Sequence, residues 1–256
     1  MRFVLFICGT LISVVASAMC SFNGILPLSK SSTLNKNGLI ILEFYSLSQD
    51  LIPGLNKKYP IYLQSLRGRV NLFVIEALTG EFSITQVVFK PESALNPGDT
   101  YELRIDSLSS HQPPPQQFDP TSKIWKPLTY TITEYTDLEF PLFTCAPLLT
   151  KKAYTRYGCG PAQIVQFQLA GYDKSEVFVR TTVKSKTTGK TSVYLLPIEN
   201  GCVEVGHAMC SGAFRFRDGN DYEVSFQLFD QSGNRGESTS GIAFTKPDPQ
   251  KDMVGN

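Results

Sequence analysis

Apolar residues along this chain fall in short runs and in alternation, with no long stretch at helical spacing. Residues 38–45 (Gly-Leu-Ile-Ile-Leu-Glu-Phe-Tyr) are nearly all apolar and lie between the polar stretches 35–37 and 46–48. That pattern predicts a core strand. Residues 60–63, 70–74 and 86–91 predict three more. Residues 101–105 alternate apolar and polar, as a half-buried strand does. Residues 128–135 close this first group. A second group follows at 164–169, 176–181, 191–196, 222–229 and 238–244. A polar hairpin turn at 184–190 and a Gly/Asn turn at 230–236 punctuate it.

One phrase occurs twice. Leu95-Asn96-Pro97-Gly98-Asp99-Thr100-Tyr101-Glu102-Leu103 is echoed by Phe216-Arg217-Asp218-Gly219-Asn220-Asp221-Tyr222-Glu223-Val224. Apolar residue, Gly, Tyr and Glu keep their offsets. The first copy resembles the tyrosine corner of immunoglobulin-type sandwiches, where a turn enters a strand and the Tyr hydroxyl bonds back to upstream backbone. Tyr101 and Tyr222 are the corner residues. The copies stand about one sandwich apart. The fold class expected is therefore all-β: two tandem immunoglobulin-like β-sandwich domains after a signal peptide. The divisions are 1–18 (leader), 19–138, 139–246 and a disordered tail at 247–256. A Pro-rich loop at 109–120, with Pro113-Pro114-Pro115, is read as belonging to the first domain, the other reading being an inter-domain linker.

Through Phe89-Lys90-Pro91 and the Leu95-x-Pro97-Gly98-x-x-Tyr101 phrase, the first domain resembles the bacterial Ig-like domains of surface-layer and exported proteins. Through Tyr222 and Asp230-x-Ser232-Gly233-Asn234, the other domain resembles a fibronectin type III or Ig-like module. The resemblance implies a spacer, adhesion or carbohydrate-binding accessory role, because such motifs belong to folding and not to chemistry.

The first residues add an address. Met1-Arg2 is followed by a largely apolar run and then Ala16-Ser17-Ala18, a leader with a peptidase site. Two other readings are a membrane anchor, for which the run is short, and a lipid anchor at Cys20, against which Met19 argues. No later apolar run is long enough to span a membrane as a helix. The location expected is extracytoplasmic: periplasm, cell surface or secreted.

Lys plus Arg number 24 and Asp plus Glu 23. That balance leaves no basic stripe for nucleic acid. Of the six cysteines, Cys8 belongs to the leader. Cys145, Cys159, Cys202 and Cys210 cluster in the second half, where an exported domain pairs them. Three pairings exist for four cysteines; Cys145–Cys159 and Cys202–Cys210 each close a local loop and are the pairs expected.

Catalytic residues are sparse. The histidines are His111, in the Pro-rich loop, and His207. No Gly-x-Ser-x-Gly elbow and no phosphate-cradling Gly-rich loop occurs. Asp218-Gly219-Asn220-Asp221 lacks the spacing of a calcium loop, and the cysteines lack zinc spacing. The expectation is a non-enzymatic protein with no catalytic residue, no cofactor and no metal, whose partner is a protein or glycan of the cell envelope. The alternatives are a carbohydrate-binding protein, with Trp125, Tyr154 and Tyr157 as contact residues, and a hydrolase without a recognisable motif.

Overall fold

The computed structural model describes residues 22–254. The leader at 1–18, Cys8 and the lipid-anchor position Cys20 lie outside the described residues.

The first half of the chain folds as strands β1 (Gly24–Pro27), β2 (Thr33–Leu34), β3 (Ile40–Tyr45), β4 (Ile61–Gln64) and β5 (Arg69–Thr79). They are followed by β6 (Ile84–Pro91), β7 (Thr100–Ile105), β8 (Gln116–Asp119), β9 (Ile124–Pro127) and β10 (Thr129–Ile132). A 3₁₀ helix at Ser46–Gly54 links β3 to β4. Hydrogen-bonded neighbours run β1-β3-β6-β5-β4-β7-β10-β2. Strand β5 makes the corner between two layers. Its first residues pair with β4 (Asn71 opposite Tyr62), and the rest pair with β6, from Leu72 opposite Pro91 to Thr79 opposite Thr85. A bulge between Val74 and Glu76 helps the strand bend. Between the layers lies a core that includes Leu42, Phe44, Leu63, Phe89, Leu103 and Tyr130. This is an Ig-like sandwich, with β2 joining β10 in parallel.

The second half gives β11 (Leu142–Phe143), β12 (Leu148–Tyr157), β13 (Gly160–Gln168), β14 (Gly171–Tyr172) and β15 (Val177–Ser185). Strands β16 (Thr191–Pro197), β17 (Cys202–His207), β18 (Asp221–Asp230), β19 (Arg235–Ser238) and β20 (Ile242–Thr245) complete it. One layer is β12-β13-β17; the other is β16-β15-β18-β19, with β20 also on β18. Phe167, Phe226 and Phe244 pack edge to face between them.

The two sandwiches are not beads on a string. Strand β3 alternates between two interiors. Ile40, Leu42 and Phe44 enter the first core. Ile41 enters a second core, together with Leu39, Leu78, Ile84 and Val88 of the first sandwich and Val179, Tyr194, Leu195 and Phe214 of the second. Polar groups finish the seam. The Gln86 amide is fully buried; its Nε2 donates to the Leu195 carbonyl (3.1 Å) and its Oε1 accepts the Leu195 N–H (3.1 Å). Arg180 holds Glu76 with both guanidinium nitrogens, at 2.8 and 2.6 Å. Tyr194 donates to the Glu43 carboxylate at 3.2 Å.

Two features differ from the sequence reading. Strand β12 was not foreseen, because Lys151-Lys152-Ala153-Tyr154-Thr155-Arg156 reads as polar; β13 is the one named strand it pairs with, at the edge of its layer. The tail, expected to be disordered from 247, is tied to that open edge. The Tyr154 N–H donates to the Asp252 carbonyl (2.8 Å), and the Val254 N–H to the Tyr154 carbonyl (3.0 Å). An edge strand offers unpaired backbone groups, and the tail takes them. The Pro-rich segment leads into the β8–β9 hairpin, where Phe118 stands opposite Trp125.

Candidate functional site

The expected disulfides are not formed. Cys145, Cys159 and Cys202 are free thiols. Cys210 is not among the free thiols. The reason is geometric. Cys145 and Cys159 flank β12, a 10-residue strand that at ~3.3 Å per residue separates its ends by ~33 Å. A disulfide needs Cα atoms within about 7 Å. Cys202 opens the six-residue strand β17, and Cys210 lies three residues beyond its far end. A loop that is short in sequence is here a fully extended strand.

Both tyrosine corners have buried rings. The Tyr101 hydroxyl accepts the Asn96 backbone N–H and the Asn96 side-chain amide, each at 3.3 Å, across a turn in which Gly98 has φ +77°. The Tyr222 hydroxyl donates to the Gly219 carbonyl at a long 3.4 Å. These residues fix turns.

The aromatic contact candidates do not come together. Trp125 sits on the first sandwich, 46% exposed, stacked on Phe22 (5.8 Å) and tilted against Phe118 (5.4 Å). Tyr154 and Tyr157 lie on β12 of the second sandwich. Tyr154 is half-buried beneath the tail, and Tyr157 is exposed. His111 is exposed in its loop. His207 is buried, its Nδ1 2.8 Å from the Ala208 carbonyl and its ring edge-on to Phe82. Burial holds its pKa below the ordinary 6.5. Asp218 pairs with Lys190 at 3.1 Å.

Sequence reasoning missed the densest group of ionisable residues. Asp137, in the connection between the sandwiches, meets Asp173 and Asp230, with one ligand atom of each within 4.8 Å of the others. Asp137 and Asp230 are fully buried. The first sandwich contributes Asn35 and Asn37. The Asn37 amide donates to the Asp137 carbonyl (2.6 Å) and its oxygen accepts the Asp137 N–H (3.1 Å). The Asn35 amide donates to Ser175 (2.7 Å), whose hydroxyl donates in turn to Asp137. Asp230 accepts the N–H groups of Ser232 (2.8 Å) and Asn234 (2.9 Å) and the Asn234 side-chain amide (2.8 Å). None of the three carboxylates is in an ion pair among the described residues.

Desolvation pushes Asp230 from 3.8 to about 6; the Asn234 hydrogen bonds oppose this, and the Asp137 and Asp173 charges add to it. Burial also raises Asp173. Burial pushes Asp137 the same way, but donation by Ser175 and the Glu139 N–H outweighs it and the net direction is down. The hard oxygen donors Asp137, Asp173 and Asp230 are the residues that could hold a divalent cation. The sequence signal was the repeated Asp-x-Ser at 173–175 and 230–232. What it lacked was any sign that the two turns, and a third Asp from the connection, meet.

No protein family and no curated protein sequence matches the chain. Among solved structures, a pullulanase from Anoxybacillus sp. LM18-11 aligns over 78% of this chain and 24% of its own, at 9% identity and TM-score 0.24. Pullulanase type I from Bacillus subtilis str. 168, complexed with maltose, aligns over 86% and 24%, at 10% identity and TM-score 0.23. The tandem Ig repeats of Dlar align over 86% and 94%, at 12% identity and TM-score 0.25. The chain spans about a quarter of the length of the pullulanases. Its class follows from its own strand order: an all-β pair of Ig-like sandwiches.

Proposed function

We propose that the chain is an exported, non-catalytic protein of the cell envelope or surface that acts as a rigid binding, adhesion or spacer module. The observation that carries this reading is the shared core between the sandwiches. Ile41 and Val88 pack with Tyr194 and Leu195, so the two domains present their loops in one fixed relation. A hinge would leave those side chains in water. Export rests on the 1–18 leader pattern.

A second reading is carbohydrate binding through Trp125. It is favoured by one observation: Trp125, Phe118 and Phe22 form an exposed aromatic cluster, each ring 46–49% exposed. Expression of the full chain in a cell with an export pathway tests the first reading. The product is expected outside the cytoplasm with residues 1–18 removed; retention inside with the leader intact refutes it. Glycan-array binding lost in Trp125→Ala, with unchanged melting, selects the second.

A further inference from the structure

Among the described residues, a group of cations without ion-pair partners gathers at one place. It surrounds a cavity of about 310 Å³ at the tip of the second sandwich. The β12–β13 hairpin, the end of β17, the segment after it and the start of the tail form the wall, and the β5–β6 turn of the first sandwich covers one side with Phe82. Backbone pairing fixes this arrangement: the Phe82 N–H donates to the Gly212 carbonyl (3.1 Å), and the Gly212 N–H to the Phe82 carbonyl (2.9 Å). Gly206, at φ +152°, allows β17 to press on β13; a Cβ there would collide with the Gln163 carbonyl oxygen.

Arg215, Arg217 and Lys246 line the cavity, and no Asp or Glu does. None of the three is in an ion pair among the described residues. The nearby acid, Glu81, is committed elsewhere: to Lys190 (3.2 Å), the Ser192 hydroxyl (2.6 Å) and the Arg215 backbone N–H (2.7 Å). The Arg215 guanidinium lies 4.0 Å over the Phe82 ring, which holds it in place. Burial and the neighbouring Arg217 charge both disfavour its cationic form. Two arginines and a lysine around one cavity repel each other, and folding tolerates that arrangement better when an anion sits among them.

A second, independent sign points the same way. Gln163 lines this cavity, and its Oε1 atom is buried without a hydrogen-bond partner. An orphaned buried acceptor costs about 1–3 kcal/mol. Rotating the amide by half a turn replaces that acceptor with N–H donors.

We propose that this cavity binds a tetrahedral oxyanion carried on a small organic group, a sulfate or phosphate monoester. Arg217 and Lys246 supply charge, Arg215 a planar fork and Gln163 the amide donors. The volume exceeds what a bare oxyanion fills, and the Phe82 and Phe216 walls suit the apolar faces of the group that carries it.

The test uses the full chain and four probes: inorganic sulfate, inorganic phosphate, glucose 6-sulfate and glucose 6-phosphate, with glucose as the uncharged control. Binding is measured by calorimetry and by amide shifts at low salt. Arg217 is exposed, so the Arg217→Gln/Lys246→Gln double variant removes charge without emptying a packed position. Saturable binding of at least one ester is expected, weakened about tenfold or more in the double variant. The tighter ester identifies the source of the anion. No saturable binding by either ester, equal binding by the double variant, or equal binding of glucose overturns the proposal. Unchanged melting of the double variant shows that any loss of binding is not a loss of fold.

Discussion

Replacing Asp230 by Asn tests the electrostatics of the junction directly. The ordinary carboxyl pKa of 3.8 is raised to about 6 in the folded protein. The folded state therefore binds more protons than the unfolded chain between those values. Its stabilising contribution is present below about pH 4 and is lost as pH rises through 6. At 1.36 kcal/mol per pH unit the full loss is about 3 kcal/mol. Asparagine does not titrate. Its Oδ1 can keep the N–H groups of Ser232 and Asn234, but its amide opposes the Asn234 amide, which costs ~1 kcal/mol until that side chain turns over. Asp230→Asn is therefore expected to be slightly less stable than the parent near pH 4 and more stable by ~2 kcal/mol near pH 7. Urea unfolding of both proteins at several pH values and constant ionic strength reads the difference, and common titrations cancel. A difference that is flat with pH, or that moves against the variant as pH rises, refutes the argument.

Other outcomes follow from the packing and the thiols. Ile41→Ala, at the core shared by the sandwiches, should cost about 2–4 kcal/mol and lower the unfolding of both halves together; a loss reported only by first-sandwich probes would show that the seam is not structural. Tyr101→Phe should cost ~1 kcal/mol through the orphaned Asn96 N–H, read as a shift in urea midpoint with unchanged slope. Cys145 and Cys159 are exposed thiols and should react with a disulfide reagent in the folded protein, faster than the half-buried Cys202; no reaction before unfolding would contradict the structure.

Much of the first sandwich was legible because its strands carry their own signal. Alternation at 101–105 and the Leu95-to-Tyr101 phrase became β7 and its corner with little shift. The run at 38–45 announced a core strand, and β3 is one. The sequence could not say that it serves two cores. A nearly continuous apolar strand is one buried on both faces, but what covers the second face belongs to another part of the chain. Strand β12 was illegible for the opposite reason: it is a polar edge whose pairing with β13 decides its conformation.

The sequence by itself determined the all-β class, the two repeated corners, most strand positions and the balanced charge, because these depend on period, turn chemistry and composition. Tertiary structure alone decided which cysteines stay apart, since an extended strand separates what a short loop would join. It also decided the meeting of Asp137, Asp173 and Asp230, and of Arg215, Arg217 and Lys246 with Gln163. Those sites are assembled from turns far apart in the chain, and no local pattern encodes a contact whose partners are chosen by the packing of two sandwiches.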